Sequence, residues 1–294
     1  LFGNGTATGG FNVSSIDYIT ISTTGNATNF GNLTLAGNSP SACSSSTRGI
    51  FAIGYSIDSG GSSNIIDYVT IATTGNATSF GQLTADRYGS SACSSSTRGI
   101  FGPGYSDQLP GYYNIIDYVT IASTGNATNF GGVTVVRYYF GACSSTTRGI
   151  FGGGVDNTNL YNIIDYITIA STGDAADFGD LTARHSLGAC SSSTRGIFGG
   201  GTTDGSTAMN VIDYITIAST GNATDFGDLT VTRYAFAACS GSTKGIFGGG
   251  IDISGTTNII DYITIASTGN ATDFGDLSTI RSYHAACSNA HGGL

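Results

Sequence analysis

Val211-Ile212-Asp213-Tyr214-Ile215-Thr216-Ile217 is the stretch on which the fold turns. Its β-branched residues in alternation are the pattern of a strand, not of a helix. Its centre recurs as Ile16-Asp17-Tyr18, Ile66-Asp67-Tyr68, Ile116-Asp117-Tyr118, Ile164-Asp165-Tyr166 and Ile260-Asp261-Tyr262, at steps of 48 to 50 residues. Upstream in the same copy, a small-residue strand at Ala189-Cys190-Ser191 precedes a turn and then Gly196-Ile197-Phe198, which runs into Gly199-Gly200-Gly201. Downstream, a Ser219-Thr220-Gly221-Asn222 turn leads to a last strand holding Phe226-Gly227-Asp228-Leu229. Four strands is the count of a propeller blade, and a repeat of this size buries its apolar face by stacking on its neighbours. The copies fill residues 1–294 without a linker. The expectation is one all-β domain, a six-bladed β-propeller with four antiparallel strands per blade.

Closure is legible at the two ends. Leu1-Phe2-Gly3 aligns with Ile50-Phe51-Ala52, and Cys287 to Leu294 aligns with Cys43 to Ile50. A C-terminal strand near residues 284–290 is therefore expected to complete the first blade, whose other three strands come from residues 1 to about 35, so that no blade is left with an open edge.

The succession Arg233, Ala237-Ala238-Cys239, Gly245-Ile246-Phe247-Gly248-Gly249-Gly250, Ile260-Asp261-Tyr262 and Phe274-Gly275-Asp276-Leu277 resembles a kelch repeat. It departs from the usual pattern in carrying Phe where the last strand commonly has Trp; the chain contains no Trp. The wording of the copies also resembles repeats in virion proteins of tailed phages that infect marine cyanobacteria. The first resemblance implies the propeller, and the second implies a setting on a phage particle.

Composition narrows the functions. The acidic residues are nineteen Asp with no Glu, and the net charge of -9 removes the basic footprint that nucleic-acid binding requires. No apolar run reaches the roughly 20 residues of a membrane span, and no signal-peptide pattern is seen at Leu1. A start at Leu1 leaves open a processed chain or part of a longer one. Cys43, Cys93, Cys143, Cys190, Cys239 and Cys287 fall once per repeat, always between Ala and Ser, and are expected as small buried thiols. Equivalent positions in successive blades need not approach to disulfide distance, and a metal ring is the remote alternative. Twelve of the fifteen Phe occupy two fixed slots, exemplified by Phe198 and Phe226, and are expected in the core between blades.

All ten Lys and Arg also occupy two slots: Arg48, Arg98, Arg148, Arg195, Lys244 and Arg87, Arg137, Arg184, Arg233, Arg281. Structural pairing with the repeated Asp or with turn carbonyls is expected ahead of a phosphate or carboxylate site. Asp177, Asp180, Asp225, Asp228, Asp273 and Asp276 fall on outermost strands, where charge opposes edge pairing; the first three repeats lack this Asp-x-x-Asp spacing, which counts against calcium. With three His (His185, His284, His291) and no nucleophile, acid–base or metal-ligand constellation that survives comparison among repeats, the chain is expected to be neither an enzyme nor a cofactor or metal carrier. The Asn-x-Ser/Thr matches at Asn26, Asn76, Asn126, Asn222 and Asn270 read as turn residues first.

Function is sought where the copies differ. Turns of the Ser-Ser-Ser-Thr-Arg-Gly and Thr-Gly-Asn-Ala-Thr types are nearly unchanged, whereas the loops on the opposite face vary: Gly54 to Ser63, Gly104 to Tyr113, Gly154 to Tyr161, Gly201 to Met209 and Gly250 to Thr257. Six of sixteen Tyr are framework residues of Ile-Asp-Tyr. The other ten lie on the variable face: Tyr55, Tyr105, Tyr112, Tyr113 and Tyr161 on one loop set, and Tyr88, Tyr138, Tyr139, Tyr234 and Tyr283 on the other. Tyr offers rigid contact area with a polar tip, so these ten are the candidate binding residues; the alternative is that they cap blade ends. The expectation is a non-catalytic interaction or adhesion module of a phage virion, tail-fibre or surface associated, that contacts a host-surface polysaccharide or receptor. The alternatives are a structural protein packing on another virion protein, and a secreted or cell-surface lectin-like propeller.

Overall fold

The computed structural model describes residues 1–108 and 111–294; Leu109 and Pro110, within the variable stretch Gly104 to Tyr113, lie outside the described residues. Six four-stranded antiparallel sheets stand around one axis, each with its first strand innermost. In the fifth, Gly188–Ser191 pairs with Arg195–Gly199, then Val211–Thr216, then Thr224–Asp228. The first blade is built from Thr28–Gly37, Val13–Tyr18 and Phe2–Gly3, and its innermost strand is Ala285–Ala286 from the far end of the chain. Phe2 stands opposite Ala286 and Gly3 opposite Ala285, so the ring is a closed six-bladed β-propeller.

The decisive tripeptide explains how blades hold together. Each pair of third and fourth strands carries an irregularity at Ile-Asp: Ile212 faces Gly227 but Asp213 faces Asp225, which leaves Phe226 as the extra residue of a bulge. Ile212 is fully buried and Phe226 is buried beside it in the core between blades. Burial of each such ring contributes on the order of 2–3 kcal/mol.

The Asp side chain enters the joint with the preceding blade. Asp117, Asp165, Asp213, Asp261 and Asp17 are paired at 2.8–3.0 Å with Arg87, Arg137, Arg184, Arg233 and Arg281, whose side chains are buried. The backbone N–H of a Thr or Ser just past the preceding blade's outer strand, such as Thr230 toward Asp261, donates to the same carboxylate. The other basic slot serves the same joints from the opposite face. Arg48, Arg98, Arg148 and Arg195 each lie 4.7–4.8 Å over the ring of a framework Tyr and donate to a carbonyl of the next blade.

One joint differs. Position 37, equivalent to Arg87, is Gly, and Asp67 is held by Thr34 alone among the described residues. Ile53, fully buried, takes the volume that an arginine stem occupies elsewhere: a Cβ on Gly37 would come within 2.9 Å of it. Burial without a cation pushes the Asp67 carboxyl above its ordinary value.

The monotonous turns are clasps. Gly75 N–H donates to Phe30 O and Ala77 N–H to Asn32 O, both at 2.8 Å, and equivalent pairs close every joint around the ring. The Gly of Phe-Gly permits this approach, since a Cβ on Gly31 would lie 2.1 Å from Gly75 O. Asn26, Asn76, Asn126, Asn222 and Asn270 accept a backbone N–H from the neighbouring outer strand, so these residues are structural turn residues.

Two closed cycles of hydrogen bonds surround the axis. At the end opposite the variable loops, Ser44, Ser94, Ser144, Ser191, Ser240 and Ser288 each donate Oγ–H to the carbonyl of the preceding member, at 2.5–2.8 Å. At the variable end, the backbone N–H groups of Ser39, Gly89, Tyr139, Ser186, Ala235 and Tyr283 each donate to the preceding member's carbonyl at 2.7–3.1 Å, and Ser39 donates to Tyr283 to close the cycle. All six have φ between 49° and 65°. For the five that are not Gly this left-handed conformation costs roughly 1–2 kcal/mol each, a cost that the closed cycle offsets.

Breaking a buried pair should be expensive: Arg233→Met is expected to lower stability by about 3–5 kcal/mol in chemical denaturation, because Asp261 is left buried without its cation. Asp67→Asn should behave oppositely. A carboxyl whose folded pKa is raised contributes stability below its unfolded value, about 3.9, and loses that contribution as pH rises through the raised value. The melting temperature of Asp67→Asn should therefore exceed wild type at neutral pH, and the gain should vanish in acid; Asp117→Asn should destabilise at neutral pH.

Candidate functional site

The loops between second and third strands rise from one end of the ring. Three are short hairpins, Tyr55–Ser56 with Gly61–Ser62, Gly104–Ser106 with Gly111–Tyr113, and Ile251–Asp252 with Gly255–Thr256. The segment arriving from the preceding blade adds a third extended piece to each loop: Asn38 bridges Tyr55, Tyr88 bridges Tyr105, Tyr138 bridges Val155, His185 bridges Thr202, Tyr234 bridges Ile251 and Ser282 bridges Thr6. The variable face is thus backbone-bonded throughout, with the left-handed cycle at its centre.

Seven of the ten candidate tyrosines form one connected run. Tyr55 meets Tyr88, Tyr88 meets Tyr105 and Tyr139, Tyr105 meets Tyr112 and Tyr138, Tyr138 meets Tyr139, and Tyr139 meets Tyr283, with ring centroids 4.8–6.4 Å apart. Most contacts are tilted or edge-on, the arrangement favoured by the ring quadrupole. Tyr161 instead donates its hydroxyl to Asp156 at 2.6 Å. Tyr113 stands opposite Gly104 in its hairpin, and Tyr234 lies beside Tyr283. All ten rings are half-buried, so they pack on one another and still present an edge to solvent. His185, not among the ten, joins the run by stacking on Tyr139 at 6.4 Å. Burial among neighbouring phenols pushes the Tyr88 and Tyr139 hydroxyls up to about 12, and Tyr283 higher still.

Tyr139 and Tyr283 occupy opposite positions of the central cycle, and their rings meet over the axis. Beneath them is a cavity of about 100 Å³ lined by Pro40, Ser91, Phe140, Leu187, Phe236 and His284 among others. His284 occupies the slot held by Phe140 and Phe236 in other blades and packs on Phe2. Both its ring nitrogens lack partners among the described residues, and burial beside Arg281 pushes its pKa well below the ordinary imidazole value. Deeper, a space of about 50 Å³ runs between the Ala-Cys-Ser strands to His291, which contacts Ser94 Oγ and Ser44 O at 3.1 Å.

The six thiols are free and buried, and burial raises each one. Five of the sulfurs, all but that of Cys239, pack on glycines of the next blade; a Cβ on Gly99 would lie 2.7 Å from Cys43 Sγ. Among the described residues no group of three or more His, Cys, Asp or Glu is placed to hold a metal ion. The paired aspartates such as Asp177 and Asp180 lie on outer strands, where the Asp180 N–H is taken by the Asn222 clasp.

Charge is unevenly distributed. Asp58, Asp107, Asp156, Asp204 and Asp252 all stand in the variable loops, and local hydrogen bonds hold Asp107, Asp156 and Asp204 below the usual carboxylate range. The five arginines nearest this face are buried in their Asp pairs, and the other five cations begin the second strands at the opposite end. The variable face therefore carries carboxylates and phenols but no exposed Lys or Arg among the described residues. The chain matches no family model, and no curated protein is significantly similar to it.

Sequence comparison located the tyrosines but not their connection. The contacts arise because Tyr139 and Tyr283 follow Arg at the second position, on the central cycle, while Tyr88, Tyr138 and Tyr234 follow directly and fall on the bridging segment. With no Trp in the chain, the near-ultraviolet circular dichroism is a readout of this packing. Tyr138→Ala, at the centre of the run, should reduce the tyrosine band more than Tyr161→Ala, with far-ultraviolet signal unchanged.

Proposed function

We propose that this propeller is a non-catalytic recognition module that engages its ligand through the variable-loop face, in the setting of a tailed-phage particle, as a tail-fibre or surface component contacting a host glycan or receptor. The observation that carries the reading is the run of seven tyrosines joined ring to ring on a backbone-bonded face. Rigid aromatic edges over a fixed cycle offer contact area at little entropic cost, which is the physics of a recognition surface. The conserved chemistry of the repeats is used in the joints, which leaves the variable positions to do the binding. The kelch-like order of motifs supports the fold, and the phage-like wording of the copies supports the setting. Nucleic acid is not a partner in this reading, since no exposed cation faces the ligand.

A second reading, a virion protein packing on another virion protein, is favoured by one observation. Phe11, Ile57 and Ile253 are exposed by 73 %, 74 % and 101 %, and all three stand in loops of this face. They sit on three separate loops, short of the broad contiguous apolar area that a permanent protein interface uses.

Saturable binding of the purified chain to intact bacterial cells and to their extracted surface polysaccharides is expected. It should be lost in a folded Tyr139→Ala/Tyr283→Ala variant. Absence of binding by the folded wild-type chain, together with tight capture by purified particles, would move the assignment to the second reading.

A further inference from the structure

The tyrosine run is one half of the variable face; the other half holds a cleft. Between the sixth and first blades lies a space of about 640 Å³, within the range of roughly 300–1,000 Å³ typical of ligand sites. One wall is the hairpin at 251–256 and the other is the loop at 6–10, while Tyr283 and Tyr139 form its floor. Of the three exposed large apolar side chains among the described residues, two stand on these walls or directly beside them: Ile253 at the hairpin tip and Phe11 after Gly10.

The lining mixes hydroxyl-bearing side chains with the aliphatic Ile251 and Ile280. Thr8 and Thr256 supply hydroxyls, while the Ser254 and Thr6 hydroxyls, donating to Asp252 and Asn12, present oxygen acceptors. No lining side chain carries a charge. The nearby Asp252 carboxylate is occupied by the Ser254 N–H and hydroxyl. A hydroxyl both donates and accepts, so such walls match a ligand that is itself dense in hydroxyl groups. The two phenol rings beneath, tilted by 51° to each other, give such a ligand aromatic surface at the bottom of the cleft. An anionic ligand is disfavoured: it would stand beside the Asp252 carboxylate with no exposed cation among the described residues to offset its desolvation.

We infer that this cleft between the sixth and first blades is a binding site for a neutral carbohydrate, with the Tyr139 and Tyr283 rings as its aromatic floor and the Thr/Ser walls reading sugar hydroxyls. The inference rests on the recognition reading above and adds a location and a ligand class to it. The remainder of the tyrosine run, from Tyr55 to Tyr112, then buttresses the floor and makes no sugar contact.

The test uses an array of neutral and acidic bacterial glycans followed by calorimetric titration of the strongest binder. The variants are Thr8→Trp and Ser254→Trp, both at exposed wall positions and each filling the cleft, beside Ser123→Ala in an exposed turn at the opposite end of the ring. Neutral glycans should be selected. Their affinity should change less than about twofold between low and high salt, as for an interaction without ion pairs. Each Trp variant should weaken binding by about tenfold or more, about 1.4 kcal/mol, while Ser123→Ala should bind as wild type. Selection of acidic glycans with salt-sensitive affinity would overturn the ligand class. Full binding in both Trp variants with loss in Tyr139→Ala/Tyr283→Ala would overturn the cleft and leave the face reading standing; binding retained in all of these variants would overturn both. A folded chain that binds no glycan on the array would overturn the carbohydrate assignment.

Discussion

A carboxylate shut away from water fastens each blade to the one before it. An isolated buried charge is untenable, so each Ile-Asp-Tyr aspartate dictates what its neighbour supplies: a backbone N–H past the outer strand and, in five joints of six, a guanidinium. Removing the arginine requires the arrangement seen around Asp67, where Ile53 refills the space and the acid titrates upward. The second basic slot lies over the framework tyrosines at the other end. The ten cations are thereby committed to holding blades together, and the acidic, uncharged-aromatic character of the variable face follows from that commitment.

Closure makes these joints act together. The inner strand of the first blade comes from Ala285–Ala286, so the sixth joint, whose Arg281–Asp17 pair spans 264 residues of sequence, is otherwise like the rest. Inside it, the serine cycle and the left-handed backbone cycle tie all six blades at both ends of the axis. The backbone cycle also positions function, because the residues whose φ it fixes include Tyr139 and Tyr283. Their rings meet over the axis as a consequence of backbone geometry, and both the tyrosine run and the cleft are built from that pair.

The sequence made the ring legible because its joints use side chains. Ile, Asp, Arg, Phe and Cys recur at fixed positions since each fills the same slot six times, and the alignment of Leu1 with Ile50 showed where the ring closes. The left-handed cycle left no such trace. Its members are Ser, Gly, Tyr, Ser, Ala and Tyr, because a bond between backbone groups places little demand on the side chain. The ten variable tyrosines could be listed from the alignment of copies, but which rings touch depends on whether a Tyr falls on the bridging segment or one residue later on the cycle. The cleft was hidden for a related reason: its walls are Thr, Ser and Gly, the residues that also make ordinary turns.

The chain ends are joined into a closed ring, and its backbone cycle opens as one unit although the joint at Asp67 lacks an arginine. Native-state hydrogen exchange at the six amides of that cycle reads this, since local opening and global unfolding separate by free energy. One common opening free energy, close to that of global unfolding, is expected for Ser39, Gly89, Tyr139, Ser186, Ala235 and Tyr283. Ser39 and Tyr283 exchanging well before the other four would contradict it, because the bond between them is the one that closes the cycle.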